Sequence, residues 1–433
     1  MLKLTPQDAG AYIRGVCFKT GPPARTGVEL EWLVHDLLDP LRPVGRHRVD
    51  QAIAALGGAQ AAAGPGRLPR GGSLSREPGG QLEISSRPGT LLGCVQDTLA
   101  DLAALRTALA GRGLQLTGWG LEPFLDPPRV LEHPRYQAME AYFDRVGPWG
   151  RWMMRASAGI QINLDAGDDG DGVTGWRARW RLAHRIGPVL VAAFANSPLW
   201  DGRPTGFRSS RQVLWSRLDS RRSAPPEDDH GLDPRRSWAE HALGTELLCV
   251  RRAAPEPWHA PPGLTLRSWL EGGSGLPPPT REDLDYHLTT LFPPVRPRGW
   301  LELRMIDAQH GDGWIVPLIV AATLLDDPRA AQAAWEATEP LCDGAPTPPP
   351  RVWERASRLA LTAPEIGKAA LGCFSAVESA LVGAGHTLGA TPWSAVADFM
   401  ERFVARGRCP ADEYLDALRY GVSLHPPLEE AWR

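Results

Sequence analysis

The segment that decides the fold is Val28-Glu29-Leu30-Glu31-Trp32, in which apolar and acidic residues alternate. Successive side chains point to opposite faces of a β-strand, so Val28, Leu30 and Trp32 are expected on one face. Both glutamates are then expected together on the other face. The segment therefore predicts a strand with an apolar face toward a core and an acidic face toward water.

Three further segments show the same alternation. They are Gln81-Leu82-Glu83-Ile84-Ser85, Ile160-Gln161-Ile162-Asn163-Leu164-Asp165 and Trp300-Leu301-Glu302-Leu303-Arg304. If the four strands share one sheet, their polar faces bring together Glu29, Glu31, Glu83 and Glu302, beside Gln161, Asn163 and Arg304. Carboxylates that lie close together repel one another unless cations are bound between them, so the pattern predicts a cation site.

The residue types indicate a hard divalent cation. Mg²⁺ prefers oxygen ligands, is usually held by one or two carboxylates, and takes phosphate oxygens from a nucleotide. The six cysteines include no Cys-x-x-Cys pair, which argues against a soft-metal site. Any one of these strands taken alone is more simply explained as a half-exposed strand. Four of them in one chain favour Mg-ATP chemistry.

Length, charge and composition exclude several classes of protein. The chain has 433 residues, a formal net charge of -3 and only three lysines among 47 basic residues. No overall basic field is available to bind nucleic acid, and arginine abundance is weak evidence of function anywhere. The N-terminus lacks a signal-peptide pattern, and the longest apolar run, 314–325, is broken by Pro317. We therefore expect a cytoplasmic protein, monomeric or homodimeric, without membrane or nucleic-acid partners.

Helical periodicity appears between the strand segments. A helix is predicted from the N-cap Thr90 to a stop at Gly111, and a second one from 176 to 195 that breaks at Gly187-Pro188. The Gly- and Pro-rich segment 196–208 predicts a loop. Exposed connections are predicted at 223–233 and 253–280.

After Asp307 the pattern becomes helical, with helices predicted at 352–361 and 411–420. Strands and helices mix without a regular strand-helix-strand rhythm, which favours an α+β fold with a largely antiparallel sheet. We expect a catalytic region at 1–310 and a helical C-terminal region at 311–433 packed on the same unit.

Several motifs, in order along roughly residues 10 to 310, together resemble glutamate-cysteine ligases of the plant-like and actinobacterial branch. They are Thr26-Gly27-Val28-Glu29-Leu30-Glu31, Glu77-Pro78-Gly79-Gly80-Gln81-Leu82-Glu83-Ile84-Ser85, Met153-Met154 with Gly159-Ile160-Gln161-Ile162-Asn163-Leu164-Asp165, Asn196-Ser197-Pro198-Leu199-Trp200 with Pro204-Thr205-Gly206-Phe207, and Trp300-Leu301-Glu302-Leu303-Arg304-Met305-Ile306-Asp307. Within this branch the chain most resembles the actinobacterial enzymes of ergothioneine biosynthesis.

The resemblance implies a glutamine-synthetase-like fold, in which a curved sheet carries helices on one face and an open catalytic funnel on the other. It implies about two or three Mg²⁺ ions, with Mn²⁺ as a possible substitute, and ATP as a substrate. The implied metal ligands are Glu29, Glu31, Glu77, Glu83, Gln161 and Glu302. The implied catalytic residues are Arg304 and Glu302, and the implied substrate- or nucleotide-binding residues are Asn163, Trp200, Arg203, Arg208 and Arg211.

The implied reaction joins the γ-carboxylate of glutamate to the amine of cysteine through γ-glutamyl phosphate. His35 and Asp165 are both open as the general base. Three alternatives also stay open: a ligase of the same fold with another amine acceptor, a phosphotransferase resembling guanidino kinases, and a binding protein without turnover.

Overall fold

The structure, a computed structural model, describes residues 4–56, 66–225, 233–383 and 390–421. The strands within these residues are β1 Thr26–Asp36, β2 Gly66–Arg67, β3 Ser73–Arg76, β4 Leu82–Ser85, β5 Leu114–Thr117, β6 Gly159–Asp165, β7 Leu199–Trp200, β8 Arg203–Pro204, β9 Val295–Pro297 and β10 Trp300–Asp307. Each of the four alternating segments lies in a strand, as predicted.

Eight of these strands form one sheet in the order β2-β3-β4-β1-β6-β10-β9, with β5 paired to the end of β1. Every pairing is antiparallel. The register sets Glu31 opposite Glu83 and Glu29 opposite Gln161. The four predicted strands are therefore adjacent, and the prediction of one largely antiparallel sheet is confirmed.

The helices of the described chain surround this sheet. They are α1 Pro6–Cys17, α2 Arg46–Ala54, α3 Leu91–Ala110, α4 Pro134–Phe143, α5 Trp149–Ala156, α6 Trp176–Ala193, α7 Ser210–Ser216, α8 Ser220–Ser223, α9 Pro234–Gly244, α10 Leu266–Glu271, α11 Arg281–Leu288, α12 Ile315–Asp326, α13 Pro328–Cys342, α14 Pro350–Leu359, α15 Pro364–Gly383, α16 Ala390–Arg402 and α17 Pro410–Arg419. Together with the sheet they confirm the α+β class.

The main core lies between one face of the sheet and helices α3, α6 and α12. Leu30, Ile84, Ile162 and Leu303 point to this face and are at most 1% exposed. Each such buried aliphatic side chain contributes roughly 1.5–3 kcal/mol to folding. Because side chains alternate along a strand, burying these residues turns the acidic set to the other face.

Helix α6 runs without a break through Pro188, so the predicted interruption is wrong. A proline inside a helix removes one hydrogen bond and costs roughly 3 kcal/mol. Here every residue from Leu182 to Ala193 is buried, and a Cβ on Gly187 would lie 2.1 Å from the ring of Trp353. Close packing against α13 and α14 therefore keeps the helix intact.

Most of the other predicted helix ends and loops are confirmed. Thr90 caps α3 by accepting a hydrogen bond from the Gly93 amide, and the helix stops at Gly111. Segment 196–208 is a loop that contains only the short β7–β8 hairpin. Segment 253–280 is not simply an exposed connection, because α10 buries Leu266 and Trp269 within it. Of segment 223–233, residues 226–232 lie outside the described chain.

The C-terminal helices pack on the same core as the sheet. The predicted helices at 352–361 and 411–420 are confirmed as α14 and α17. Helix α15 is long and apolar enough to span a membrane by length and composition alone. One side of it, including Ile366, Phe374 and Val377, is buried against neighbouring helices, as in the core helix of a globular protein. The boundary near residue 310 stays a prediction.

Candidate active site

The open face of the sheet gathers the predicted acidic residues. Glu29, Glu31 and Glu83 are half-buried, so solvent reaches them although the surrounding protein shields them, while Glu302 is fully buried. Glu302 lies opposite Asn163 in the pairing of β10 with β6. The sheet therefore brings together residues that are up to 273 positions apart in the sequence.

Neighbouring amides hold two of the carboxylates in place. The Asn163 side chain donates a hydrogen bond of 3.1 Å to Glu29, and the Gln161 side chain donates one of 3.1 Å to Glu31. The backbone amide of Gly159 donates a third, of 2.7 Å, to Glu31. Asn163 and Gln161 thus orient the acidic side chains, in addition to any contact with a ligand.

Glu83 and Glu77 complete the cluster. The hydroxyls of Ser75 and Ser85 donate to one oxygen of Glu83, at 2.9 and 3.1 Å. Glu77 follows β3 in a tight turn closed by the Gly80 amide, which donates to the Glu77 carbonyl at 2.9 Å. Gly80 has a φ of 98°, a conformation that favours glycine.

Burial and mutual repulsion raise the pKa values of these acids. Burial raises the pKa of Glu29 to about 7, and the charges of Glu302 and Glu83 add to the rise. Burial also raises the pKa of Glu77, with help from Glu83 and Glu31. The pKa values of Glu31 and Glu83 rise for the same first reason. A cluster that holds its negative charge so poorly is suited to bind cations.

Glu302 differs from the other acids because arginines surround it. Arg296, its partner on β9, donates two hydrogen bonds to the carboxylate, one of them 3.0 Å long. Arg304 and Arg298 lie 3.4 and 3.5 Å from it. Burial alone would raise the pKa of Glu302, but the charges of Arg296 and Arg304 outweigh burial and lower that pKa to about 2.

Two arginines border the acidic residues. Arg304 donates a hydrogen bond to the Gln161 side-chain oxygen, and burial together with the charge of Arg296 lowers the pKa of Arg304 to about 10. Arg211 is 2% exposed and donates to the Arg304 carbonyl at 3.1 Å. The Nε and Nη1 atoms of Arg211 are buried without a hydrogen-bond partner, and Nη1 lies 3.9 Å from the Asp307 carboxylate, which balances part of the charge. Both guanidinium groups can therefore compensate an anionic substrate.

Two residues that shape the site were given no role from the sequence: Arg296, and Asp307 at the end of the last motif. Asp307 accepts hydrogen bonds from the Asn196 amide and from the hydroxyls of Ser197 and Ser209, which fixes the 196–209 loop to β10. A signal for Arg296 was present, since Gly299 suggests a hairpin that would pair 295–297 with 301–303. For Asp307 the alternation misleads, because a register shift between 303 and 306 interrupts it.

Four residues from 200 to 211 were implied to bind substrate or nucleotide, and the structure places one of them, Arg211 on α7, against the acidic residues. Trp200 packs against Trp152, with ring centres 4.4 Å apart and ring planes tilted by 40°, and Arg203 is exposed in the β7–β8 hairpin. Arg208 forms an ion pair of 3.1 Å with Asp412 on α17, so its contacts are with the C-terminal helices.

The two candidates for a general base have other partners. His35 is buried between Glu122, at 2.8 Å, and the hydroxyl of Thr117, at 2.6 Å. Asp165 accepts hydrogen bonds from the backbone amides of Ala24 and Arg25. These contacts indicate that His35 and Asp165 both have structural roles.

The acidic residues fit Mg²⁺ in donor type. They offer carboxylate and amide oxygens. The raised pKa values of Glu29 and Glu83 indicate that their negative charges are unfavourable at this place unless a cation is bound. In the part of the chain that the structure describes, no three Asp, Glu, His or Cys side chains already surround a common point. In proteins, water and phosphate oxygens usually complete the shell of Mg²⁺ beside one or two carboxylates.

Comparisons with known proteins agree with the family that the sequence motifs resemble. The family described as glutamate-cysteine ligase family 2 matches residues 25–433. The glutamate–cysteine ligase EgtA of Mycolicibacterium smegmatis is 37% identical over 416 residues, which cover 95% of this chain and 91% of that protein. EgtA of Mycobacterium tuberculosis is 36% identical over 434 residues, covering 97% and 92%. The chloroplastic glutamate–cysteine ligase of Arabidopsis thaliana is 30% identical over 349 residues, covering 75% and 63%.

These matches confirm the branch that the motifs suggested. The family match covers almost the whole chain, including every residue of the acidic cluster. The chain therefore belongs to glutamate-cysteine ligase family 2 and is a ligase.

Proposed function

We propose that this chain joins the γ-carboxylate of L-glutamate to the amine of L-cysteine at the expense of ATP, and that the γ-glutamylcysteine feeds ergothioneine biosynthesis. The observation that carries the proposal is the convergence of Glu29, Glu31 and Glu83 with Arg304 and Arg211 on one open sheet face. The names of the EgtA relatives support the choice of glutamate and cysteine.

A free carboxylate does not form an amide with an amine in water until it is activated. In the first step the glutamate γ-carboxylate attacks the terminal phosphate of ATP, which gives γ-glutamyl phosphate and ADP. Phosphoryl transfer asks the protein mainly for in-line positioning and for compensation of charge on the phosphate oxygens.

Bound Mg²⁺ would supply much of that compensation. The residues that we propose to hold it are Glu29, Glu31, Glu77, Glu83, Gln161 and Glu302. Glu302 has a second role in this proposal, because its carboxylate also orients Arg304.

Arg304 and Arg211 would contact the transferred phosphoryl group or the glutamate carboxylates. Removal of one donor to a developing negative charge typically costs roughly 3 kcal/mol of transition-state stabilisation. Asn163 adds an amide beside Glu29. Trp200 and Arg203 lie on the loop that Asp307 fixes to β10, from which they could cover the substrates.

In the second step the cysteine amine attacks the acyl phosphate, the amide forms and phosphate leaves. The amine must lose a proton, and we assign no side chain as the base, since His35 and Asp165 have structural partners. The chain's own cysteines take no part. All six are buried, so none is available as a nucleophile.

Two other functions predict different products. A ligase with another acceptor would release ADP faster with that amine than with cysteine. A phosphotransferase resembling guanidino kinases would form a stable phosphorylated product and no amide. Family membership favours the ligase over the phosphotransferase.

The deciding experiment incubates the purified full chain with glutamate, ATP and Mg²⁺ and a panel of amines. We expect cysteine to give the fastest ADP release and mass spectrometry to find γ-glutamylcysteine. If another amine is faster, or if no amide forms, the proposed reaction is wrong. We further propose a cytoplasmic monomer or homodimer that binds neither nucleic acid nor membranes, which light scattering and cell fractionation would test.

A further inference from the structure

Arg135, in the first turn of α4, has no acidic partner among the residues that the structure describes, although it lies close to the acidic cluster. Its Nη1 and Nη2 atoms donate to the hydroxyl and the carbonyl of Thr289, at 2.9 and 3.0 Å. The guanidinium carbon lies 5.2 Å from the centre of the Tyr286 ring. Among the described residues no carboxylate oxygen lies within 4 Å of its nitrogens. By contrast, Arg129 and Arg155 on the other side of α4 both pair with Glu140.

Two connections locate Arg135 relative to the site. The segment that leads into α4 is joined to the Glu77 turn, because the Val130 amide donates to the Pro78 carbonyl at 2.7 Å. The Thr289 carbonyl that Arg135 contacts also accepts a hydrogen bond from Arg296, the partner of Glu302. Arg135 therefore lies between the Glu77 turn and the Arg296–Glu302 pair.

Arg135 and Arg304 differ in their partners. Arg304 already has a carboxylate beside it, whereas the partners of Arg135 among the described residues are neutral oxygens and an aromatic ring.

The surroundings of Arg135 are apolar and aromatic. The adjacent hydrophobic cluster joins aromatic rings and sulfur atoms, including Tyr136, Tyr286, Met139 and Cys249. A partly buried guanidinium without a counter-ion favours a carboxylate, because two parallel hydrogen bonds can form with it.

We propose that Arg135 binds the α-carboxylate of the acceptor amino acid and so selects cysteine over amines that lack this group. The inference rests on the proposed function. Thr289 and Tyr286 hold the guanidinium in position before the substrate arrives, which reduces the entropy lost on binding. In this arrangement Arg304 and Arg211 remain available for the transferred phosphoryl group.

The test compares cysteine with cysteamine, which has the same thiol and amine but no carboxylate. Kinetics are measured for the full chain and for the variants Arg135→Gln and Arg135→Lys. We expect Arg135→Gln to raise the KM for cysteine roughly 10-fold to 100-fold, the usual effect of losing a hydrogen bond to a charged group. We expect kcat/KM for cysteamine and the KM values for glutamate and ATP to change little, and Arg135→Lys to restore part of the loss.

Arg145→Gln is the matched control, because Arg145 also stacks on a tyrosine, Tyr142 at 4.1 Å, and pairs with Glu246 instead. Equal losses for cysteine and cysteamine in Arg135→Gln, or a rise in the KM for glutamate alone, would overturn the inference. If Arg135→Gln does not fold, the cysteine-to-cysteamine ratio of Arg135→Lys decides the question, and an unchanged ratio counts against it. A wild-type chain that makes no amide from cysteine would instead refute the proposed function.

Discussion

Arg296 and Glu302 face each other across the β9–β10 pair, and the guanidinium holds the carboxylate with two hydrogen bonds. Both side chains are almost completely buried, at 8% and 0% exposure. Glu302 therefore keeps its negative charge where the other glutamates of the cluster tend to lose theirs. That charge in turn fixes Arg304 beside Gln161.

Breaking this pair should strongly destabilise the fold. Arg296→Met leaves a buried carboxylate that has lost its main partner, and Glu302→Met leaves a buried guanidinium, so each should cost roughly 3–5 kcal/mol. The double variant should cost clearly less than the sum, because neither charge is left alone. Urea unfolding of all four proteins gives the coupling energy, and strictly additive costs would mean that the pair is not coupled.

Glu83→Gln should stabilise the metal-free protein while removing its activity. Glu83 lies directly opposite Glu31, and like charges in that position cost up to about 1 kcal/mol. We expect a higher Tm than wild type in EDTA, a smaller rise of Tm on adding Mg²⁺, and a loss of at least about 100-fold in kcat. The exposed Glu282 provides the control, since Glu282→Gln should change none of the three. Wild-type activity in Glu83→Gln would defeat its assignment as a ligand.

Gly159→Ala should impair activity through Arg211. A Cβ at this position would lie 2.2 Å from the Arg211 Nη2 atom, so the guanidinium must move. A displacement of about 1 Å near a reacting group can cost roughly 100-fold in rate. Gly27→Ala on the neighbouring strand is the control, because its nearest contacts would be an ordinary 3.6 Å. Steady-state kinetics should show a loss in the first variant only, and equal activities would argue against a role for Arg211.

Arg208→Gln should leave substrate binding unchanged. Its guanidinium pairs with Asp412, so Arg208→Gln and Asp412→Asn should each lower stability by about 1 kcal/mol or less. The KM values for ATP and glutamate should stay at the wild-type level in both. A raised KM in Arg208→Gln but not in Asp412→Asn would instead favour the substrate-binding role that the motif suggested.

Buried histidines should make the fold sensitive to acid. Burial lowers the pKa of His184 from 6.5 to about 4. Above pH 6.5 the ring is neutral in both the folded and the unfolded chain. As the pH falls from 6.5 toward 4, only the unfolded chain takes up the proton, so stability should drop by about 1.4 kcal/mol per unit for this group. His184→Phe should reduce the slope of the free energy of unfolding against pH in this window, and an unchanged slope would show that His184 is not protected.

Much of the fold was readable from local patterns. The alternation in 28–32 and in the three related segments predicted strands, and their polar residues predicted the acidic face. Thr90 and Gly111 predicted both ends of α3. These signals are short-range, because a cap or an alternation is decided by residues that are neighbours in the chain.

Other features could not be predicted because they depend on partners far away in the sequence. The Gly187-Pro188 dipeptide suggested a break in α6, yet packing against Trp353 keeps the helix continuous. The loop motif suggested that Arg208 binds substrate, yet Asp412 on a C-terminal helix is its partner.

The sequence by itself determined which residues carry charge on which face of each strand, since a period of two residues needs no tertiary information. Only the tertiary structure decided which of those charges meet. The pairing of β10 with β9 gave Glu302 an arginine and a low pKa, while the pairing of β1 with β4 set Glu31 against Glu83. Equivalent glutamates thus acquired opposite tendencies to hold a proton, because electrostatic energy depends on distance through space and on burial, neither of which is set by position along the chain.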